Sequence, residues 1–225
     1  MDFAFTPEQE AWRREIHDFL KDNPPEKFPK QSGEDSWGHG AFSYEFVRLL
    51  GQKGWIPLTW PKKYGGSERS NTDLMILFEE LAYARVPWAA GAICWSMANT
   101  ILDMGSEELK QEFLPGIGKG ETILWLAMSE PDAGSDLLAL RTTAIEQDDC
   151  FLVNGQKVWS SLAHLSQYGF LFVRTETDPK VPKWASISTL ILDKSLAGVT
   201  VQPMISMLGD IFHTEVFLDN VRVPK

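Results

Sequence analysis

The feature that most constrains this chain is a change of hydrophobic period near Gly120. Before it, apolar residues recur at helical spacing. Trp12, Ile16, Phe19 and Leu20 fall at i, i+4, i+7 and i+8, which makes one apolar face. Leu74, Leu77, Phe78 and Leu81 repeat the pattern. After Pro115 the chain breaks into short β-rich runs: "ETILWLAM", "QYGFLFVRT", "SISTLILD", "GVTVQPM" and "TEVFLDNVRV". Helices followed by strands predict an α+β chain with segregated domains. The expected division is an all-helical domain over 1–120 and an antiparallel β-barrel or sandwich over 121–225. At 225 residues the chain is long enough to bury a real core.

The local signals are specific. Thr6-Pro7-Glu8-Gln9 supplies a cap, a first-turn proline and a capping box. A second helix carries Phe42, Phe46, Leu49 and Leu50 and stops near Gly51 or Gly54. The Pro/Gly-rich segment "GWIPLTWPKKYGGSERS" is predicted to be packed down by Trp55 and Trp60. A third helix starts near Thr72, an apolar one near Trp88, and a short one runs from Ser106 to Leu114 before Pro115. In the second half, "LRTTAIEQDDCFLVNG" reads as two strands about a polar turn at Glu146 to Asp149. Asn154-Gly155 is a turn signal.

A formal net charge of −10 argues against nonspecific nucleic-acid binding. Cys94 and Cys150 stand far apart among apolar neighbours, which suits buried free thiols in a reducing compartment. Four scattered histidines and these two cysteines give no zinc-ligand spacing. The N-terminus has no signal-peptide pattern, and the apolar stretch from Val86 to Leu102 is interrupted, so a soluble cytoplasmic protein without a membrane span is expected. "GIGKGET" at Gly116 to Thr122 imitates a phosphate loop. Here a helix precedes the glycines and a strand follows, the reverse of a dinucleotide fold, so a helix-to-strand turn is expected.

The chemistry concentrates in "WLAMSEPDAGSD", Trp125 to Asp136. An apolar run stops at Ser129 and is followed at once by hydroxyls, carboxylates and a glycine. Loops carried by rigid elements are where binding residues gather. "AMSEPDAGSD" resembles the signature of the acyl-CoA dehydrogenases: small, aliphatic, Ser and Glu, two variable residues, then small, Gly, Ser and Asp. "NGQKVWSS" is similar to that family's segment with a flavin-facing tryptophan. "DFAFTPEQE", "GWIPLTWPKKYGG" and "VFLDNVRVPK" match in the same order, so the resemblance covers nearly the whole chain.

The resemblance implies FAD as cofactor, an acyl-CoA as substrate, and α,β-dehydrogenation to the trans-2-enoyl-CoA. Electrons would leave through an electron-transferring flavoprotein. It implies that Leu126, Met128 and Ser129 lie along the flavin edge, that Trp159 packs on the ring, and that Ser161 reaches toward N5. Ser135 would contact the pantetheine arm, and Trp95, Ser96 and Asn99 would line the acyl pocket. Each residue also has a plain structural reading. Ser129 would cap a strand end, Trp159 would be core, and Glu130 and Asp136 would order their own loop rather than work as an acid-base pair. Asp132 is expected to be solvated.

Two departures stand out. "SSLAH" after Trp159 resembles the branch acting on bulky or unusual acyl-CoAs, steroid side chains included. His164 could sit near the flavin or be an ordinary hydrogen-bonded histidine. The family's helical C-terminal domain, with its catalytic glutamate, is expected beyond Lys225, which leaves no catalytic base and no metal site in these residues. Two kinds of function stay open. One is a dehydrogenase, or an oxidase, working as a homo- or hetero-oligomer. The other is a catalytically silent subunit that binds acyl-CoA or a partner chain.

Overall fold

The computed structural model describes residues 4–30, 42–178, 180–207 and 209–225, and no side chain at Ala90 or Ala92. Asp2 and Phe3 of the opening motif lie outside the described residues. The chain divides into two compact units, Met1–Glu121 and Thr122–Lys225.

Among its described residues the first unit holds five α-helices: α1 (Pro7–Asp22), α2 (Tyr44–Gln52), α3 (Asn71–Tyr83), α4 (Ala89–Met104) and α5 (Glu107–Gly118). The capping box at α1 forms. Gln9 N–H donates to Thr6 Oγ1 at 3.3 Å, and Thr6 N–H donates to Gln9 Oε1 at 3.0 Å. This satisfies two donors that a helix start otherwise leaves unpaired. Trp12, Ile16 and Phe19 are buried, as their spacing requires. Trp55 and Trp60 are buried too, and the rings of Trp12 and Phe19 pack on Trp55 at centroid distances of 5.1 and 4.7 Å. Edge-on aromatic pairs of this kind add about 0.5–1.5 kcal/mol beyond their area.

Two helix ends differ from the sequence reading. Phe42 precedes α2 and forms an isolated bridge with Trp88. The last helix continues through Pro115 for one more turn. Proline removes one helical donor, but that turn buries Ile117 and Gly118, and packing outweighs the lost bond. The glycines of "GIGKGET" therefore close α5 and lead into a strand, in the helix-then-strand order read from the sequence. Among the described residues, no helix is long and apolar enough to cross a membrane.

The second unit is one curled sheet of seven strands: β1 (Leu124–Ala127), β2 (Thr143–Glu146), β3 (Cys150–Ser161), β4 (Tyr168–Arg174), β5 (Ile187–Asp193), β6 (Val199–Ile205) and β7 (Ile211–Pro224). The order is β1-β4-β2-β3-β7-β6, with β5 on β4. The expected antiparallel sheet forms with one departure: β4 runs parallel to β1 and meets the first residue of β2, Thr143, in parallel. Strand direction depends on which distant strands meet, which alternation within each strand does not encode. Trp125, Ala127, Ala144, Val153, Leu171, Val173, Val216 and Val221 form the core. Trp125 is fully buried because its ladder partner is Gly169; a Cβ there would lie 2.5 Å from the indole.

Asn154-Gly155 is not a turn. Both residues lie within β3, where the register against β7 shifts between Val153 and Gly155. A Cβ on Gly155 would approach Thr142 Oγ1 to 2.4 Å, so the glycine permits a close backbone approach, while the extra residue of the bulge is on β7, where Asp219 and Asn220 stand opposite Asn154. Cys94 and Cys150 are buried, and neither is in a disulfide among the described residues.

Candidate functional site

Two segments about thirty residues apart in sequence meet in the β unit. The first continues from β1 through Met128 and Ser129, then turns at Glu130, whose N–H donates to Ala133 C=O at 2.8 Å. The second is the end of β3. Val158 N–H donates to Ser129 C=O at 2.9 Å, and Lys157 Nζ donates to Met128 C=O at 3.2 Å. These two bonds latch the strands together.

The latch is locked electrostatically. Lys157 Nζ lies 2.8 Å from Glu130 Oε1, with the lysine side chain 0% and the glutamate side chain 6% exposed. Glu130 also accepts from the amides of Arg141 at 2.6 Å and Thr142 at 2.9 Å. Burial pushes its carboxyl upward, but the bonds from Lys157 and the two amides overcome that and hold it below the ordinary carboxylate range. Glu130 thus serves its own loop and strand, the structural role read for it from the sequence.

The same segment explains Trp159. Lys157 pairs with Val216 and Ser160 with Thr214, so Val158 and Trp159 together stand opposite Glu215. This second bulge turns Val158 N–H out of the ladder and toward Ser129. It also forces Trp159 to φ 58°, a left-handed conformation that costs a bulky residue about 1–3 kcal/mol. The residue is 59% exposed. A strained backbone presenting a large apolar ring to the outside is unusual for a residue with a merely structural role. Ser161 follows, half-buried, with Oγ 3.4 Å from His213 Nδ1. The His213 ring also stands perpendicular to the Trp159 indole at 5.8 Å.

Leu126, Met128, Ser129, Trp159 and Ser161 therefore belong to one unit, and the Val158–Ser129 bond brings the Ser129 and Trp159 arms side by side. Ser135 is exposed on the loop after Glu130. That loop is tied down by Arg174, which donates to the carbonyls of Leu138 and Leu140 at 2.9 and 3.1 Å. Asp132 is exposed and pairs with Arg141 at 3.2 Å; Asp136 is exposed. His164 is half-buried. Lys194 donates to its carbonyl at 2.9 Å, and burial, then the Lys194 charge, pushes the imidazole below its ordinary value.

The other three residues lie in the helical unit, on α4. The Trp95 ring packs on Phe78 at 5.5 Å. Ser96 donates to its own Ile93 carbonyl at 2.8 Å. Asn99 Oδ1 accepts from Trp60 Nε1 at 3.0 Å. Among the described residues, no group of three or more His, Cys, Asp or Glu could hold a metal ion.

Sequence reading missed Lys157 and His213. Lys157 was legible in principle: Val153 and Lys157 are four apart in one strand, so alternation turns both inward, and an inward lysine demands a buried carboxylate. His213 carries no comparable signal, because only strand register sets it opposite Ser161.

Among the described residues, five helices are followed by a curled, bulged sheet that presents an aromatic ring beside two serines, an α+β chain. Comparison with known proteins makes this specific. Residues 6–121 match the family model "Acyl-CoA dehydrogenase, N-terminal domain", and residues 126–221 match "Acyl-CoA dehydrogenase, middle domain". The chain belongs to the acyl-CoA dehydrogenase family. It is 37% identical to the acyl-CoA dehydrogenase FadE26 of Mycobacterium tuberculosis over 100% of its own length and 56% of that protein's. Among solved structures, it is similar to the ChsE4-ChsE5 complex from M. tuberculosis, with TM-score 0.86 and 34% identity, covering 100% of this chain and 56% of that one. It is also similar to the Tcur3481-Tcur3483 steroid ACAD, with TM-score 0.85 and 30% identity, covering 100% and 57%. The chain thus spans little more than half the length of these relatives.

Proposed function

We propose that this chain supplies the helical and β portions of an FAD-dependent enzyme that oxidises an acyl-CoA thioester to its trans-2-enoyl-CoA. The observation that carries the reading is Trp159, strained to a left-handed φ, largely exposed, and latched beside Ser129. A flat ring system needs this kind of surface: an aromatic face to pack on, with hydroxyl and backbone groups around its edge. The donor set fits an isoalloxazine, because Ser129 and Ser161 offer neutral hydrogen bonds and the charged Glu130 and Lys157 are buried on each other. When bound, the flavin would accept the hydride from the substrate's β carbon.

The chain's own residues bind and orient. Leu126, Met128 and Ser129 line the ring edge, Trp159 covers a face, and Ser161 addresses the N5 region. Ser135 meets the pantetheine arm, and Trp95, Ser96 and Asn99 wall the acyl pocket. Glu130 is not assigned as the base that removes the α proton, since Lys157 and two amides engage both its oxygens and lower its basicity. We assign that base to a residue outside 1–225.

Two of the similar structures are named as two-protein assemblies, one of them as a steroid ACAD. This supports pairing with a second chain and a bulky acyl group. An electron-transferring flavoprotein is the proposed electron acceptor. The test is flavin content. The protein, purified with any chain it copurifies with, should carry FAD, and Trp159→Ala should lower occupancy or shift the flavin absorbance. Unchanged occupancy and spectrum in the variant would count against the site.

A further inference from the structure

We infer that His213 is a positioning residue for this flavin face, holding the Trp159 indole and the Ser161 hydroxyl at the same time; the inference rests on the functional reading above. His213 lies on β7 directly opposite Ser161 in the ladder. The backbone on either side of it is clamped to β3 and the residue after it. Phe212 C=O accepts from Leu162 N–H at 2.8 Å, and Thr214 Oγ1 donates to Ser160 C=O at 2.8 Å. Behind it stands the Phe212 ring, at 5.0 Å and nearly perpendicular. The imidazole is thus fixed where both Trp159 and Ser161 must meet it.

Each contact answers a need that the β3 bulge creates. The bulge ejects Trp159 from the ladder and leaves the residue 59% exposed. An exposed indole has many rotamers open to it, and a perpendicular ring at 5.8 Å favours one of them. Ser161 is half-buried at the end of the strand, and its hydroxyl can rotate. With His213 Nδ1 at 3.4 Å, the hydroxyl has a partner that can accept or donate, depending on the tautomer. When Nδ1 accepts, Ser161 turns lone pairs outward; when Nδ1 donates, Ser161 turns its proton outward. A flavin nitrogen that accepts a hydrogen bond when oxidised and donates one when reduced is matched by such a two-way hydroxyl. A serine fixed in one direction would favour one redox state.

The two contacts are separable by substitution. His213→Phe keeps a ring against Trp159 and removes the hydrogen bond. His213→Asn keeps a short polar group facing Ser161 and removes the ring. His213→Ala removes both. The readouts are FAD affinity, the flavin absorbance spectrum and the flavin reduction potential, measured on the protein with any chain it copurifies with. His213→Ala should weaken FAD binding about tenfold, the size of one such contact pair, and shift both spectrum and potential. His213→Phe should recover most of the affinity and keep the shifted potential. His213→Asn should recover the potential and not the affinity. Wild-type values in all three variants would overturn the role of His213 while leaving the flavin site intact. Equal losses in all three, with affinity and potential moving together, would mark His213 as ordinary sheet packing and overturn it as well. A wild-type protein that takes up no flavin would instead overturn the functional reading, and this inference with it.

Discussion

Each unit buries a glutamate, and the two solve the same problem by different means. Glu80 on α3 lies within 2.9 Å of Arg13 Nε and 2.5 Å of His17 Nε2, both on α1. Its partners reach solvent, with side chains 24% and 49% exposed. Glu130 meets a lysine with no exposure at all and two backbone amides. A surface-linked cluster can be rehydrated when one member is lost. A sealed pair cannot, and losing one partner strands a charge where water does not reach. The difference shows where the molecule has spent its electrostatics. In the helical unit charges staple two helices together, and in the β unit they fix the geometry of the two strands that carry the candidate site.

This contrast can be broken by mutation. The largest effect should come from Lys157→Met, which leaves Glu130 unpaired and should cost about 3–5 kcal/mol in chemical denaturation. A loss below about 1 kcal/mol would mean the pair is solvated and the contrast is wrong. The double variant Lys157→Met with Glu130→Gln should recover part of that loss. Next in size is Gly155→Ala. Its added Cβ meets Thr142 at 2.4 Å and its backbone sits at φ 153°, so a loss of roughly 1–3 kcal/mol is expected from the same measurement. Wild-type stability would show that the close approach to Thr142 relaxes freely. Glu80→Gln should cost less, about 1 kcal/mol, since its partners are partly screened.

The smallest effect is in pH. Glu130's folded carboxyl titrates below its unfolded value of about 4.5. A lowered carboxylate pKa adds stability that is fully present above the unfolded value and is lost as pH falls through the folded one. Between neutral pH and that window, wild type should hold its stability and then lose it more steeply than Glu130→Gln. Parallel curves for the two proteins would show that Glu130 gains nothing from Lys157.

Catalytic assay separates a structural Glu130 from a chemical one. If Glu130 were the base, Glu130→Gln would remove about 10²–10⁴ of rate from a protein that still folds and still binds FAD. A rate loss no larger than the loss of folded protein is expected.

The helical unit was the more legible of the two. The Thr6 capping box, the Trp12–Ile16–Phe19 face and the packed-down Trp55 and Trp60 all follow from neighbours a few residues apart. The end of α5 was not legible, because the burial of Ile117 and Gly118 outweighs the local penalty of Pro115. In the β unit, strands were read from alternation and the hairpin from its polar turn at Glu146 to Asp149. The Asn154-Gly155 signal misled, because a glycine serves a turn and a close backbone approach equally well, and the length of pairing against β7 decides between them. Of the candidate site, Ser129, Trp159 and Ser161 were legible only through their resemblance to a family motif. Nothing local predicts that residue 159 stands at φ 58° and faces outward.

The sequence by itself determined the order of helices and strands, the place of the break between them, the caps and the family signature. These depend on period, on turn chemistry and on short-range hydrogen bonds, which a chain carries wherever it goes. Tertiary structure decided the rest: the parallel pairing of β1 with β4, the bulge that exposes Trp159, the meeting of Ser129 with Val158, the sealing of Lys157 on Glu130, and the placing of His213 opposite Ser161. Each of these joins residues about thirty or more positions apart. Their positions are fixed by which strands the sheet brings together and in what register, and that choice is made by the burial of the whole core.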